Sequence, residues 1–245
     1  METLIGRQGM TEQNSGSEKR ISIAIDGPAG AGKSTLAKRV ADRLSYLYID
    51  TGAVYRAATW VALEQRADLK NEELVTDLVR KAEIELLPPD QSSQGRVRVL
   101  VNGADVSFII RSRIITRFVS PMATIAGVRQ ILVEKQQQLA KAGGVVMDGR
   151  DIGTVVLPKA ELKIFLTASP EIRAKRRLKD MKEMGQIADL ETIIADIKER
   201  DHIDSTRATA PLKQAEDAIL IDTDNYTLDE VCQKVLELCQ EKIKA

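Results

Sequence analysis

The chain has 245 residues, 43% of them hydrophobic but only 3% aromatic, so its core must be built mostly from Ile, Leu, Val and Ala, in one domain or one domain with insertions. Thirty-six basic residues balance thirty-six acidic ones, which removes the positive field that a protein holding long nucleic acid non-specifically would need. Any anion it binds is expected to be small, and no nucleic acid partner is expected.

Residues 1–19 are polar, contain acids and lack an apolar h-region. Neither a signal peptide nor a transit peptide fits, and the stretch reads as a disordered tail in which Met10 could serve as an alternative start. The first apolar run, Ile21 to Ile25 before Asp26, predicts a buried strand. It leads into Gly27-Pro28-Ala29-Gly30-Ala31-Gly32-Lys33-Ser34, followed by Thr35, which matches the pattern G-x-x-x-x-G-K-[ST]. Leu36, Val40 and Leu44 then mark a helix, so the turn stands between a strand and a helix as its chemistry requires. Gly27, Gly30 and Gly32 let the backbone curl with its N–H groups inward, and the helix beginning near Lys33 adds its positive dipole end. Such a cradle binds a polyphosphate. Lys33 would reach the β- and γ-phosphates, and the Ser34 hydroxyl would coordinate Mg2+ bridging the same two groups.

Leu47 to Ile49 before Asp50 predict the second strand, which runs into "DTGAVYR" (Asp50 to Arg56). Residues 83–107 interrupt the alternation: a Pro88-Pro89-Asp90 turn precedes "GRVRVLVNGADV", whose period of two and Asn102-Gly103 pair predict strands joined by a hairpin turn. Ile131, Val133 and Lys135 to Leu139 lie in a helical pattern ahead of the third strand, Val145 to Met147, which ends in "MDGRDIG" (Met147 to Gly153). Leu162 to Leu166 before Thr167 form the fourth strand and Ala218 to Ile221 before Asp222 the fifth. Between these two, residues 170–210 are highly charged and helical in pattern, bounded by Pro170 and Pro211 and closing with "ERDHIDSTR" (Glu199 to Arg207). Cys232 and Cys239, the only cysteines, would lie roughly 10 Å apart along a helix, too far for a disulfide, and read as thiols in a reduced compartment.

The predicted fold is α/β: a three-layer P-loop NTPase fold with a five-stranded parallel sheet, a small β insertion (83–107) near the acceptor site and a helical lid (170–210), all within one domain, 20–245. No run reaches about 18 apolar residues, so no membrane is expected and the protein is expected to be cytoplasmic. Neither a guanine-reading N-K-x-D sequence nor a strand ending in paired acids is present, which argues against a GTPase switch and an ATP-driven motor.

Three strand and lid ends mix arginine with acid. Arg56, Arg150, Arg200 and Arg207, if they converge on the cradle, supply bidentate phosphate donors for a second phosphate-bearing molecule. Arg200, Asp204 and Arg207, at i, i+4 and i+7, share one face if helical; a solvated salt-bridge ladder is the alternative.

The segments "IDGPAGAGKST", "DTGAVYR", "DGRDIGTVVLPKAELKIFL" and "KERDHIDSTRATAPL" together resemble the bacterial cytidylate kinases, a family of nucleoside monophosphate kinases, from about Ile21 to the C-terminal helix. The resemblance implies transfer of the γ-phosphoryl group of ATP to CMP or dCMP, with magnesium. It implies that Lys33, Arg150 and Arg207 are catalytic and that Gly27 to Thr35 bind ATP. Thr51, Arg56, Arg150 and Arg207 would hold the acceptor and transferring phosphates; Ser120, Arg129 and Asp151 would read the cytosine; Arg200 and Asp204 would bind the ribose. Ser120 and Arg129 rest on a spacing within one helix, "VSPMATIAGVR", where a capping serine and a surface arginine are the alternative. Thr51 stands where the family more often carries serine, and keeps the hydroxyl.

Chemistry favours Asp151 for the base, because a carboxylate accepts from the cytosine N4 amino group and repels the carbonyl oxygen that uracil presents there. A phosphate dianion needs no general base to attack. The arginines of 173–207 read as a lid, with Arg173, Arg176 and Arg177 open to the alternative of surface charge. The partners are then ATP, CMP and dCMP, and the protein a monomer. A kinase for UMP, AMP or shikimate, and an ATP-dependent switch or binding module, are the competing readings.

Overall fold

The computed structural model describes residues 19–244 apart from 92, 94, 95, 184 and 186; the tail reading for residues 1–19 falls, except for Lys19, outside the described residues. In chain order the elements are β1 (Ser22–Asp26), α1 (Lys33–Leu44), β2 (Leu47–Asp50), α2 (Thr51–Glu64), α3 (Glu72–Lys81), β3 (Ile84–Leu87), β4 (Arg98–Val101), β5 (Ala104–Asp105), α4 (Arg113–Met122), α5 (Ala126–Ala140), β6 (Val145–Gly149), β7 (Leu162–Thr167), α6 (Pro170–Glu183), α7 (Leu190–Thr206), β8 (Ile219–Asp222) and α8 (Leu228–Lys244). A 3-10 turn at Ile109–Arg111 and a π-helical turn at Ile152–Val156 complete the set.

Five strands form one sheet in the order β2-β6-β1-β7-β8, every pairing parallel. Both faces of the central strands β1, β6 and β7 are covered, which is why they read as predominantly apolar runs. Ile23 and Ile25 of β1 pack with Leu36 and Val40 of α1 and Val231 and Val235 of α8 on one side. Ala24, Met147 and Ile49 pack with Ile152, Val156 and Ala140 on the other. Cys232 and Cys239 are both buried free thiols in the first of these layers.

The small sheet β3-β4-β5 is antiparallel. Val101 pairs with Ala104 across Asn102 (φ 50) and Gly103 (φ 78), the doubly left-handed turn that an Asn-Gly pair favours between twisted strands. Its Val99 and Val101 pack on Ala53, Ala57 and Val61 of α2, so the insertion abuts the helix that begins at Thr51. The charged stretch forms α6 and α7, which share an apolar cluster of their own: Ala174, Met181, Ile193 and Ile197.

Two local expectations need correction, and one is met. Ser120 and Arg129 do not share a helix: Ser120 lies inside α4, Arg129 lies on α5, and the chain turns between them at residues 123–125. Helix α5 is found where the pattern before the third strand predicts one, with Val128, Arg129, Leu132, Gln136 and Ala140 buried. Arg207 is the C-cap of α7 with extended backbone (ψ 140), so it leaves the helix that carries Arg200 and Asp204.

Parallel register aligns Asp26 with Gly149 and Asp50 with Asp148, so the carboxyl ends of β1, β2 and β6 open on one edge. At that edge Gly27 has φ 144, and a Cβ there would stand 1.9 Å from the Leu166 carbonyl oxygen of β7. Gly27→Ala must therefore strain the backbone and push β1 from β7 at once. Urea denaturation of this variant is expected to show a loss of about 3 kcal/mol or more, and an unchanged unfolding midpoint would contradict the close approach.

Candidate active site

The loop from Gly27 to Gly32 ends at Lys33, the first residue of α1, with Gly32 at its N-cap in the left-handed region (φ 93). Lys33 is 5% exposed and its Nζ donates to the Pro28 carbonyl at 2.7 Å. Burial, reinforced by Arg150, pushes its pKa well below the ordinary lysine value, against the pull of Asp148. The Ser34 hydroxyl donates to Asp148 Oδ2 at 2.8 Å, and the Tyr48 hydroxyl donates to Asp148 Oδ1 at 2.9 Å. Burial and then Asp50 raise the Asp148 carboxyl to about 6, and burial with the same two acids raises the Tyr48 hydroxyl. Pro28 faces a second hollow with Arg173, Ala31 is buried, and Thr35 is exposed in the first turn of α1.

From Ala29, Gly30, Lys33 and Ser34 a cleft of about 290 Å³ runs past Thr51 and Arg56 to Ser120, Arg129 and Asp151. Among the described residues lining it, seven lysine and arginine side chains face four carboxylates, an imbalance that calls for anions. Thr51 opens α2, is buried, and donates its hydroxyl to the Asp148 carbonyl at 2.6 Å. Arg56, one turn later, donates to the Thr116 hydroxyl at 2.7 Å; burial lowers its pKa to about 10, so it keeps its charge at neutral pH.

Asp204 organises the α7 side of the cleft. It is 3% exposed and accepts from Arg150 Nε at 2.8 Å and from the Ser120 hydroxyl at 3.3 Å. Burial works against its charge, but Arg150 and Arg200 prevail and hold its carboxyl below the usual range. Arg200 Nε stands 3.9 Å from Asp204 Oδ2 and is a buried donor without a hydrogen-bond partner. Its burial, with Arg150 beside it, lowers its pKa to about 9. Three cations thus crowd one carboxylate and leave donors to spare. That excludes the solvated-ladder alternative for these residues.

At the far end Asp151 pairs with Arg129, and its Oδ1 accepts from Arg207 Nη2 at 3.4 Å. Arg129 is 3% exposed, so it is no surface arginine, and it lies over the Tyr55 ring at 5.8 Å. Ser120 sits mid-helix and caps nothing. The structure therefore brings Thr51, Arg56, Ser120, Arg129, Arg150, Asp151, Arg200, Asp204 and Arg207 to one cleft, with Arg207 reaching it from beyond its helix.

Asp148, Tyr48, Tyr55 and Asp26 carry no role in the sequence reading. Asp148 had a signal, an acid ending a strand beside the cradle strand. Tyr48 and Tyr55 flank Asp50-Thr51-Gly52 and could have been found only by turning the strand and helix in space. Arg173 is 3% exposed; it donates to the Ala29 carbonyl at 3.0 Å and to Asp201 at 2.6 Å, tying α6 and α7 to the cradle. Arg176 donates to the Thr223 carbonyl at 2.8 Å, and Arg177 lines the cleft, so none of the three is idle surface charge.

A model of the cytidylate kinase family matches residues 23–241. The chain is similar to the cytidylate kinase of Bacillus velezensis, 53% identical over 92% of this chain and 99% of that protein. It is similar also to those of a Geobacillus species, 55% identical over 91% and 98%, and of Bacillus subtilis, 51% identical over 92% and 99%.

Asp26, 4% exposed, accepts from the N–H groups of Ile152 and Gly153, yet burial outweighs these bonds and raises its carboxyl from 3.8 to about 6. Between those values the folded chain keeps a proton that the unfolded chain has lost. The stability that this group contributes is full below the unfolded value and is lost as pH rises through about 6. The unfolding free energy of wild type minus that of Asp26→Asn is expected to fall by about 2–3 kcal/mol from pH ~4 to pH ~7, measured by urea titration; a flat difference would contradict the shift.

Proposed function

The chain belongs to the cytidylate kinase family, and on that premise we propose that its cleft transfers the γ-phosphoryl group of ATP to CMP or dCMP, giving ADP and CDP or dCDP. One observation carries this reading: a single cation-rich cleft is continuous from Lys33 and Ser34 of the phosphate cradle to Arg129 and Asp151, long enough in chemistry for two anionic nucleotides meeting phosphate to phosphate.

Residues Gly27 to Thr35 bind ATP, with Lys33 exchanging the Pro28 carbonyl for the β- and γ-phosphates. Thr51 and Arg56, at the start of α2, hold the acceptor phosphate. Arg150 and Arg207 serve the transferring group, and Arg207 must trade its 3.4 Å contact with Asp151 to do so. Arg200 and Asp204 bind the ribose beside Ser120, which donates to Asp204. The spare Nε of Arg200 is the donor that this role needs.

Ser34 and Asp148 offer the hard oxygen donors that magnesium prefers, and among the described residues no group of three potential ligands makes a cage of protein alone. Bound there, Mg2+ would neutralise charge on the donor phosphates. The acceptor phosphate, with a second pKa of about 6, is mostly dianionic at neutral pH and attacks without a general base. The remaining task for the protein is to align two groups that repel each other and to balance the charge that spreads over the transferring phosphoryl. Lys33, Arg150 and Arg207 do this. Helices α6 and α7, packed on their own apolar cluster, close over the site and exclude the water that would otherwise take the phosphoryl group.

Asp151 selects the base. Its carboxylate accepts from the cytosine N4 amino group and repels the oxygen of uracil at the same position, while Arg129 holds it from behind. The partners are small nucleotides, and a monomer acting in the cytoplasm completes the proposal.

Lys33→Ala is expected to lower kcat at least ~10³-fold with the fold intact, read in a coupled ADP-release assay with CMP; retained turnover would end the kinase assignment for this loop. Asp151→Asn is expected to narrow the CMP over UMP preference in kcat/KM by about 10- to 100-fold with a smaller change in the KM for ATP. A preference equal to wild type would place base reading elsewhere, and an acceptor panel of CMP, dCMP, UMP, AMP and shikimate run alongside shows where.

A further inference from the structure

Asp26 touches no phosphate in the roles above, yet it joins the two halves of the cleft. It is the last residue of β1, and its backbone runs directly into Gly27 of the cradle. Its side chain reaches the other way. Oδ1 accepts from the Ile152 N–H at 2.8 Å and Oδ2 from the Gly153 N–H at 2.7 Å. These amides open the π-helical turn Ile152–Val156, whose N-cap position is held by Asp151.

An aspartate at such a position ordinarily folds its own carboxylate onto the free N–H groups that follow it. Asp151 makes no capping bond of this kind; its two oxygens go to Arg129 and Arg207 instead. The turn is capped from the neighbouring strand, at a position that the parallel register of Asp26 with Gly149 brings alongside. Capping alone does not explain the choice of residue, because a buried carboxylate costs stability that a serine or asparagine cap would not. The fit is also close. A Cβ on Gly153 would stand 3.3 Å from Asp26 Oδ2 and 3.1 Å from Lys163 Cδ, so the turn cannot slide along the carboxylate.

We propose that Asp26 is a positioning residue for acceptor choice: by taking the N–H groups of Ile152 and Gly153, it spares the Asp151 carboxylate from capping its own turn and keeps it on Arg129 and Arg207, where it faces the base. This rests on the reading of Asp151 as the group that recognises the cytosine amino group. Asp26→Asn keeps one acceptor oxygen but sets an amide NH2 against the other N–H. Asp151 then has a reason to turn back onto its own turn, and the base loses its partner. Because ATP is common to both reactions, the ratio of kcat/KM for CMP to that for UMP isolates this effect from damage to the cradle.

The test is a cycle of four proteins: wild type, Asp26→Asn, Asp151→Asn and the double variant, each assayed with CMP and UMP. Asp26→Asn is expected to lower the CMP:UMP ratio about 10-fold or more, and the double variant is expected to have the ratio of Asp151→Asn alone, since the first residue acts through the second. A ratio left at the wild-type value by Asp26→Asn, with both substrates slowed equally, would overturn the positioning role while leaving the base reading in place. Equal losses of ratio in both backgrounds would overturn it as well. An unchanged ratio in Asp151→Asn would instead remove the base reading, and the present inference with it. Should Asp26→Asn fail to fold, Gly153→Ala presses on the same carboxylate, and its effect on the ratio must likewise vanish in the Asp151→Asn background.

Discussion

The constraint on which the rest of the structure depends is the burial of like charge. Lysine and arginine side chains drawn from α1, α2, α5, the end of β6, α6, α7 and the segment beyond α7 converge in one partly dehydrated cleft, and each would be driven out by its neighbours if left alone. Asp204 and Asp151 make the assembly possible. The first anchors Arg150 and Arg200, the second Arg129 and Arg207. Neither neutralises its group fully, and the surplus is what an incoming phosphate meets. Because Arg200 retains a buried donor without a partner, the cleft is built for a guest rather than for its own stability.

The fold supplies this convergence through register. Parallel pairing brings the ends of β1, β2 and β6 to one edge, so Asp26, Asp50 and Asp148 emerge side by side although more than a hundred residues separate the first from the last. The end of the cleft away from the cradle then needs only a helix start, α2, and the residues between β6 and the π-helical turn that follows it. Helices α6 and α7 share an apolar cluster of their own and are tied to the cradle through Arg173 and Asp201 and to the sheet through Arg176 and Thr223. Hydrogen bonds of this kind can be exchanged one for another, whereas a shared apolar core would resist separation.

Much of this was legible in the residues. The strand starts could be read because a strand buried on both faces has no alternation to obscure it, and the glycine loop because its neighbours on either side were of the required type. The Asn102-Gly103 turn was equally open, since few other pairs accept two left-handed residues in succession. What stayed hidden shares one cause: buried polar side chains carry no periodic mark. Arg129 and Gln136 occupy the inner face of α5, where nothing in the sequence separates a buried arginine from a surface one. Arg207 sits one residue past the end of α7, where a spacing of seven still suggests a common face. Asp26 and Asp148 were visible only as the full stops of their strands, and their work is done across the sheet, on amides and hydroxyls far away in sequence.

The crowding of arginines in the cleft has a consequence for how long the protein lasts. A site whose positive charges repel one another is relieved whenever a polyanion sits among them, so occupancy favours the folded chain over every opened form. Proteases sample the opened forms. Resistance of the folded chain to proteolysis is thereby tied to occupancy of the cleft by a polyanion.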